Sequence, residues 1–309
     1  MNLIPKGQRE QSALLLRVFF QNKSPATLRA YRQDLEDFRA FLGSRTVELA
    51  GQFLITQSHG QANLLALNFK AWLKEKELSP ASVNRKLAGL RSLMKLANTL
   101  GLISWKLEVS NETTESYRDT RGPGEHAYKQ MLKMASEGKN KVKAIRDTAI
   151  LCVLYALALR RSSIVNLTMA DLELDRQVIW VTLKKRSEKK LKSLPQSTQR
   201  ALEAWLDIRG DEEGPVFTNL DRAGKGHGLT GTAIYQIVRG YGEQVGVKTR
   251  PHGLRHTAIT EAVKKSQELG IGIDEVMEFS DHRNLATLMI YRDRERNIQG
   301  SLSQLIAGE

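Results

Sequence analysis

Two helix starts of the same chemistry constrain the first third of this chain more than any other feature. Ser24-Pro25-Ala26-Thr27 and Ser79-Pro80-Ala81-Ser82 each set a capping serine before a proline. The serine can accept free backbone N–H groups, and the fixed φ of proline suits the first helical turn. After the first start, Leu28, Tyr31, Leu35, Phe38 and Leu42 recur at helical spacing, and Gly43 ends the run. After the second, Val83, Leu87, Leu90, Met94 and Ala97 do the same, and Gly101 follows. A further helix is predicted over residues 62–76. Residues 14–104 therefore read as a small all-helical domain behind a tail of residues 1–13. The shared cap is helix-start chemistry used twice and only weak evidence of duplication.

The remainder is punctuated differently. Residues 105–124 lack periodicity and end in Arg121-Gly122-Pro123-Gly124, so they read as a linker. Residues 125–309 open with helical patterns over 127–137 and 142–159. Val178-Ile179-Trp180-Val181-Thr182-Leu183 then reads as a strand. A dense basic turn, Lys184-Lys185-Arg186-Ser187-Glu188-Lys189-Lys190, leads into a second strand over 191–194, closed by Pro195. Residues 172–175 are a candidate third strand, and helices are predicted over 197–208, 231–245, 254–265 and 273–279. The expected fold class is mainly α with a small β-sheet: a helical domain followed by a mixed α/β domain.

Charge narrows the partner. The net charge is +13, from 47 basic against 34 acidic residues, which favours a polyanion. An acidic membrane surface is the rival, but no apolar run is long enough to span a bilayer, and residues 1–10 lack an apolar signal core. A cytoplasmic protein is expected. Cys152 is the only cysteine, so it can form no intrachain disulfide, and its apolar surroundings suggest a buried thiol. Arg29 and Arg32 on one helix, and Arg85, Lys86 and Arg91 on another, occupy polar positions. Each alone reads as a solvated residue; with the net charge behind them, contact with a DNA backbone is favoured for some of them.

Chemistry concentrates near the C-terminus. His252-Gly253-Leu254-Arg255-His256 is followed by His282 and, nine residues later, by Tyr291. A tyrosine hydroxyl is a poor nucleophile at neutral pH, with a pKa of about 10. Arginine and histidine beside it can stabilise both a phenolate and the charge that builds on an attacked phosphate. No Gly-x-x-x-x-Gly-Lys-Ser/Thr loop and no zinc-type Cys/His spacing occur. His252 and His256 are spaced as on a metal-binding helix, but Arg255 between them opposes a dication. No metal or cofactor is expected.

These residues carry a resemblance. The segment resembles the tyrosine recombinase, or phage integrase, family, whose signature is His-x-Leu-Arg-His, then Gly-His or Gly-Trp, then Tyr nine residues on. Upstream the family has Gly-Leu-Arg-Ile/Val-Ser-Glu-Leu and then Asp; here stand Ala158-Leu159-Arg160-Arg161-Ser162-Ser163-Ile164 and Asp171. The basic hairpin falls where the family carries a catalytic lysine, and the helical half is similar to its SAM-like core-binding domain. The resemblance implies that Tyr291 attacks a phosphodiester to give a 3′-phosphotyrosine and a free 5′-hydroxyl. Arg160 and Arg255 would clamp the non-bridging oxygens. Lys185, or its neighbour Lys184, would protonate the leaving oxygen. His256 would assist proton transfer or orient the site, with His282 hydrogen-bonding the phosphate and His252 sharing that work. Lys184 and Arg186 would also touch the DNA backbone. His59, His126 and His227 lie outside the motif and read as surface residues.

The implied partner is double-stranded DNA with an inverted-repeat core site, held by a homo-tetramer that works through a Holliday junction, with or without a partner recombinase. An Xer-like or Cre-like two-domain architecture is expected, acting in the cytoplasm on the nucleoid. The stripe Ile298, Leu302, Leu305 and Ile306 by itself reads more often as intrachain core, and the resemblance implies a tail helix that packs onto a neighbouring subunit. A type IB-like topoisomerase and a catalytically weakened DNA-binding regulator are the alternatives. Three positions depart from the family pattern. Ala158 replaces Gly, a mild change if the backbone there is helical; Ser163 replaces Glu; and Asp281 replaces the Gly before His282. A carboxylate at Asp281 would repel a phosphate unless it points away as a helix cap.

Overall fold

A computed structural model describes residues 6–21, 23–113, 122–183, 189–221, 224–282, 284–291, 303–304 and 306–307. The chain divides into two compact units, Met1–Ser116 and Tyr117–Glu309.

Unit one is helical: α1 Lys6–Gln21, α2 Pro25–Leu42, α3 Val47–Ile55, α4 His59–Glu75 and α5 Pro80–Thr99. Both serine caps form as their chemistry requires. Ser24 Oγ accepts from Thr27 N at 3.3 Å, and Ser79 Oγ accepts from Ser82 N at 3.4 Å. Gly43 closes α2 in the left-handed conformation (φ 62°). The predicted helix over 62–76 begins earlier, because Ser58 and Gln61 form a reciprocal capping box. Two helices lay outside the sequence reading. α1 starts at Lys6, inside the expected tail, and α3 is a separate element capped by Thr46. Leu15, Phe19, Phe38, Phe69, Leu87 and Leu90 are among the residues of one shared core.

Residues 105–113, expected to be linker, are fastened to this unit. Leu107 and Val109 are buried in its core, two apart along the chain. Arg91 donates to Val109 O at 2.8 Å and to Asn111 Oδ1 at 2.6 Å. Asn84 donates to Glu112 O at 2.9 Å and accepts from Glu112 N at 2.7 Å. Side-chain amides and a guanidinium thus replace the missing secondary-structure partners, a device that periodicity does not reveal.

The helix cations read as DNA contacts separate accordingly. Arg29 and Arg32 are exposed. Arg85 is partly exposed and pairs with Asp34 at 2.6 Å, while Arg91 is committed to the 109–111 segment. Lys86 is a correction: it is only 5% exposed and pairs with Asp34 and Asp37, so it cannot reach a phosphate. Removing one partner of a buried pair strands the other charge. Lys86→Met should therefore cost about 3 kcal/mol, the low end because Arg85 still faces Asp34. Arg29→Ala should leave melting unchanged. Thermal melts of the two variants check this, and an unaltered melt for Lys86→Met would refute the pairing.

Unit two comprises α6 Gly124–Ser136, α7 Lys141–Ala156, α8 Arg161–Val165, α9 Gln196–Arg209, α10 Gly231–Gln244, α11 Pro251–Leu269, α12 Ile273–Ser280 and α13 Leu285–Leu288. A three-stranded antiparallel sheet, β1 Leu172–Glu173, β2 Val178–Thr182 and β3 Lys189–Ser193, lies between α8 and α9 in sequence. The predicted hairpin pairs in the register Ile179 with Lys192 and Val181 with Lys190. Ile179, Val181, Leu194, Trp205 and Leu254 belong to the main core, while Ala158, Ile259, Val276, Leu288 and Tyr291 form a smaller one. Cys152 is buried, as expected. His126 and His227 are exposed, and His59 faces Glu108 at 3.5 Å. Among the described residues, no helix is long and apolar enough to cross a membrane.

Candidate active site

The site forms around the C-terminal end of α12, where unpaired carbonyls carry the negative end of the helix dipole. Arg255, the fifth residue of α11, is 1% exposed. Its Nη1 donates to Ala158 O and its Nη2 to Ser280 O. Arg160, the residue before α8, donates to Asp281 O at 3.4 Å. Both guanidiniums therefore lean on consecutive carbonyls of one turn. Two of the five N–H donors of Arg255 are used there, which fixes its plane. Burial, with Arg160 second, pushes Arg255 down to about 10, so it stays charged at neutral pH.

Tyr291 ends a 3₁₀ turn, Met289–Tyr291, and is 6% exposed. Its ring lies 5.0 Å from His256 in a stacked arrangement and 5.7 Å from His282. His252 meets His256 edge to face at 4.2 Å. His282 Nδ1 and Ser280 Oγ are 2.9 Å apart, so the ring is oriented by the same turn. Burial raises the Tyr291 hydroxyl above its ordinary pKa, while Arg255 and Arg160 pull it down. The phenol is therefore protonated at neutral pH.

Both inner histidines are neutral at pH 7. Burial, then His252 and Arg255, bring His256 down to about 4; burial, then Arg255 and Arg160, bring His282 down to about 4. A neutral imidazole can accept a proton or offer one N–H, and an anionic phosphate beside it would oppose these shifts. The linkage has a definite sign. The unfolded histidines, with pKa values of about 6.5, bind more protons than the folded ones between that pH and about 4. Their contribution to stability is therefore full above pH 6.5 and fades as pH falls toward 4. The melting temperature should drop from pH 7 to pH 5, and drop less in His282→Asn. Parallel slopes for parent and variant would contradict this.

Each departure from the family pattern has a structural consequence. Ala158 is not helical: it sits at φ 46°, fully buried, and its carbonyl holds Arg255. That left-handed conformation costs a non-glycine residue about 1–2 kcal/mol, so the change is not mild. Ser163 donates to Thr182 O at 2.9 Å and ties α8, hence Arg160, to the end of β2. Asp171 accepts from Thr168 and Lys189. Asp281 is the left-handed cap of α12 (φ 54°), with its carboxylate between Lys190 at 3.3 Å and Lys192 at 3.1 Å.

Arg160, Arg255, His256, His282 and Tyr291 are thus brought together, with His252 at the rim. Lys184, Lys185 and Arg186 lie outside the described residues. Of the tail stripe, only Ile306 is described, and it is 87% exposed. Lys189, at the end of the basic turn, is engaged by Asp171, and Lys190 and Lys192 are engaged by Asp281. The sequence reading also missed Ser280, whose hydroxyl meets His282 and whose carbonyl meets Arg255.

Comparison with known proteins shows the family of the chain. Residues 124–297 match the Phage integrase family, and residues 16–99 match the Phage integrase, N-terminal SAM-like domain. A tyrosine recombinase of Synechococcus elongatus is 33% identical over 293 residues, covering 93% of this chain and 90% of the relative. A tyrosine recombinase of Synechocystis is 32% identical, covering 92% and 91%. The structure of the XerH site-specific recombinase bound to palindromic difH substrate has a TM-score of 0.70 at 16% identity, covering 96% of this chain and 85% of that one. At that identity the likeness is one of fold. Full-length relatives above 30% identity and a match spanning the whole site establish that the chain belongs to the phage integrase family and is a tyrosine recombinase, an enzyme of site-specific DNA recombination.

Proposed function

We propose that this recombinase cuts and rejoins double-stranded DNA through Tyr291. The observation that carries the reading is a buried tyrosine between two neutral histidines, within the field of two arginines anchored on one turn. The Tyr291 oxygen attacks the scissile phosphorus as His256 accepts the phenolic proton. The bond from phosphorus to the 5′-oxygen breaks, and its electron pair leaves with that oxygen. A hairpin lysine, Lys185 or Lys184, supplies the proton that completes the 5′-hydroxyl. Arg160 and Arg255 balance the charge on the non-bridging oxygens, with His282 and His252 as further donors. The phosphotyrosine conserves the energy of the broken bond, so another 5′-hydroxyl reverses the chemistry and joins a new strand.

Two such exchanges on paired sites pass through a Holliday junction, which calls for four subunits on two inverted-repeat core sites. The +13 charge, with Arg29 and Arg32 exposed on α2, suits backbone contact. The protein would act in the cytoplasm on the nucleoid. The test begins with selection of a binding site from random DNA. A nicked duplex of that site, from which the cleaved 5′ fragment diffuses away, should accumulate protein covalently bound to the 3′ end. Two-site substrates should then give junctions and recombinants. An adduct without recombinants, accompanied by supercoil relaxation, would assign the chain a topoisomerase role. Specific binding without any adduct would refute catalysis.

A further inference from the structure

The face of β3 that should be apolar carries two lysines. Ile179 and Val181 of β2 are buried, and their cross-strand partners are Lys192 and Lys190. Lys192 is 7% exposed, whereas its neighbour Leu191 is 38% exposed. The lysines turn toward the end of α12: Lys192 Nζ donates to Phe279 O at 2.7 Å, and Lys190 Nζ to Glu278 O at 2.8 Å. Both then meet the Asp281 carboxylate. The backbone of this same turn supplies Ser280 O to Arg255 and Asp281 O to Arg160, and it leads into His282. β3 itself runs on directly from the basic turn at 184–188, where the candidate general acids lie.

We propose that Lys192 and Asp281 form a positioning pair that locks β3 to the turn orienting both arginines, and that Asp281 is tolerated beside a phosphate because the buried Lys192, helped by the more exposed Lys190, neutralises it. The inference rests on the reading of Tyr291 and the arginines given above. Asp281 occupies a left-handed backbone site that a glycine would fill without strain. Its side chain is 4% exposed, and that of Lys192 is 6% exposed. Without Lys192, Asp281 would keep only the part-exposed Lys190, and without Asp281, Lys192 would be a desolvated cation, whereas both can be replaced together by neutral groups of similar shape. Without Lys192, Asp281 sets a negative charge next to the bound phosphate and competes for the arginines. Without Asp281, Lys192 is a buried cation that pulls on the carbonyls of the turn.

The test is a double-mutant cycle on the full chain, read as single-turnover adduct formation on the nicked site at saturating DNA, at a temperature where every variant is folded. Lys192→Met and Asp281→Asn should each slow cleavage by about tenfold or more while leaving DNA affinity nearly unchanged. Lys192→Met/Asp281→Asn together should cleave faster than Lys192→Met alone. A pair that only stabilised the fold would couple in melting temperature but not in the cleavage rate of folded protein. Should Lys192→Met fail to fold, Asp281→Asn is compared with the double variant in the same way. Cleavage by the single variants at the parental rate, or a double variant no faster than the singles, overturns the proposal. If the parent itself forms no adduct on its selected site, the Tyr291 reading fails instead.

Discussion

Tyr291→Phe should leave a folded, DNA-binding protein that forms no covalent adduct, with the loss in strand cleavage roughly 10⁴-fold or greater. The size follows from the chemistry. Phenylalanine has no atom that can become the phosphate ester, and His256 and His282, both nitrogen bases, would give a different and labile linkage. The fold should survive because the ring contributes through packing. Tyr291 lies in a small core with Ala158, Ile259, Val276 and Leu288, and its stacked contact with His256 and tilted contact with His282 are ring contacts that phenylalanine keeps. Removing the hydroxyl leaves no polar group to desolvate in that core, so the melting temperature should hold or rise. The expected gel pattern is a shifted DNA complex of parental affinity with no band surviving denaturation. An adduct that persists in Tyr291→Phe would move the nucleophile elsewhere. Loss of binding along with cleavage would mean that the variant had not folded.

How far the sequence reached differs between backbone and side chains. The capped helices α2 and α5 were legible because serine, proline and helical period agree at each level. α3 was not, since its buried face includes Gly51 and Gln52, which disguise the stripe. Residues 105–113 escaped because amide and guanidinium side chains, not a periodic pattern, satisfy their backbone. At the site, Arg160, Arg255, His256, His282 and Tyr291 were named from motif spacing, and the structure brings them together. What spacing could not express was the support beneath them. The Ser280 and Asp281 carbonyls, the left-handed Ala158 and the Ser163 bond to Thr182 are backbone facts. One signal was readable: residues two apart on a strand share a face, so a buried Leu194 forces Lys192 inward. An inward lysine requires a carboxylate, and Asp281, already conspicuous as a departure, was available.

Arg255→Lys should abolish more than its conservative appearance suggests, with cleavage falling about 10³-fold and stability falling with it. Arg255 does two jobs with one guanidinium. Two N–H groups hold Ala158 O and Ser280 O, which joins the end of α7 to the end of α12 behind the site. The remaining edge is left to grip a phosphate. A lysine has one ammonium on a flexible stem, so it cannot bridge both carbonyls and face a phosphate at once. At least one buried carbonyl loses its partner, at a cost of about 1–3 kcal/mol. The amine also suffers the desolvation that already depresses the arginine, and an ammonium deprotonates more readily when buried. Arg160→Lys offers the contrast. Arg160 is only part-buried and makes one long bond to Asp281 O, so its loss should slow cleavage with little change in melting. The pair of melts and single-turnover rates separates the two arginines: one is both girder and clamp, the other clamp alone. An Arg255→Lys protein that melts like the parent and cleaves within about threefold of it would show that the bridge between α7 and α12 is dispensable and that a point charge suffices.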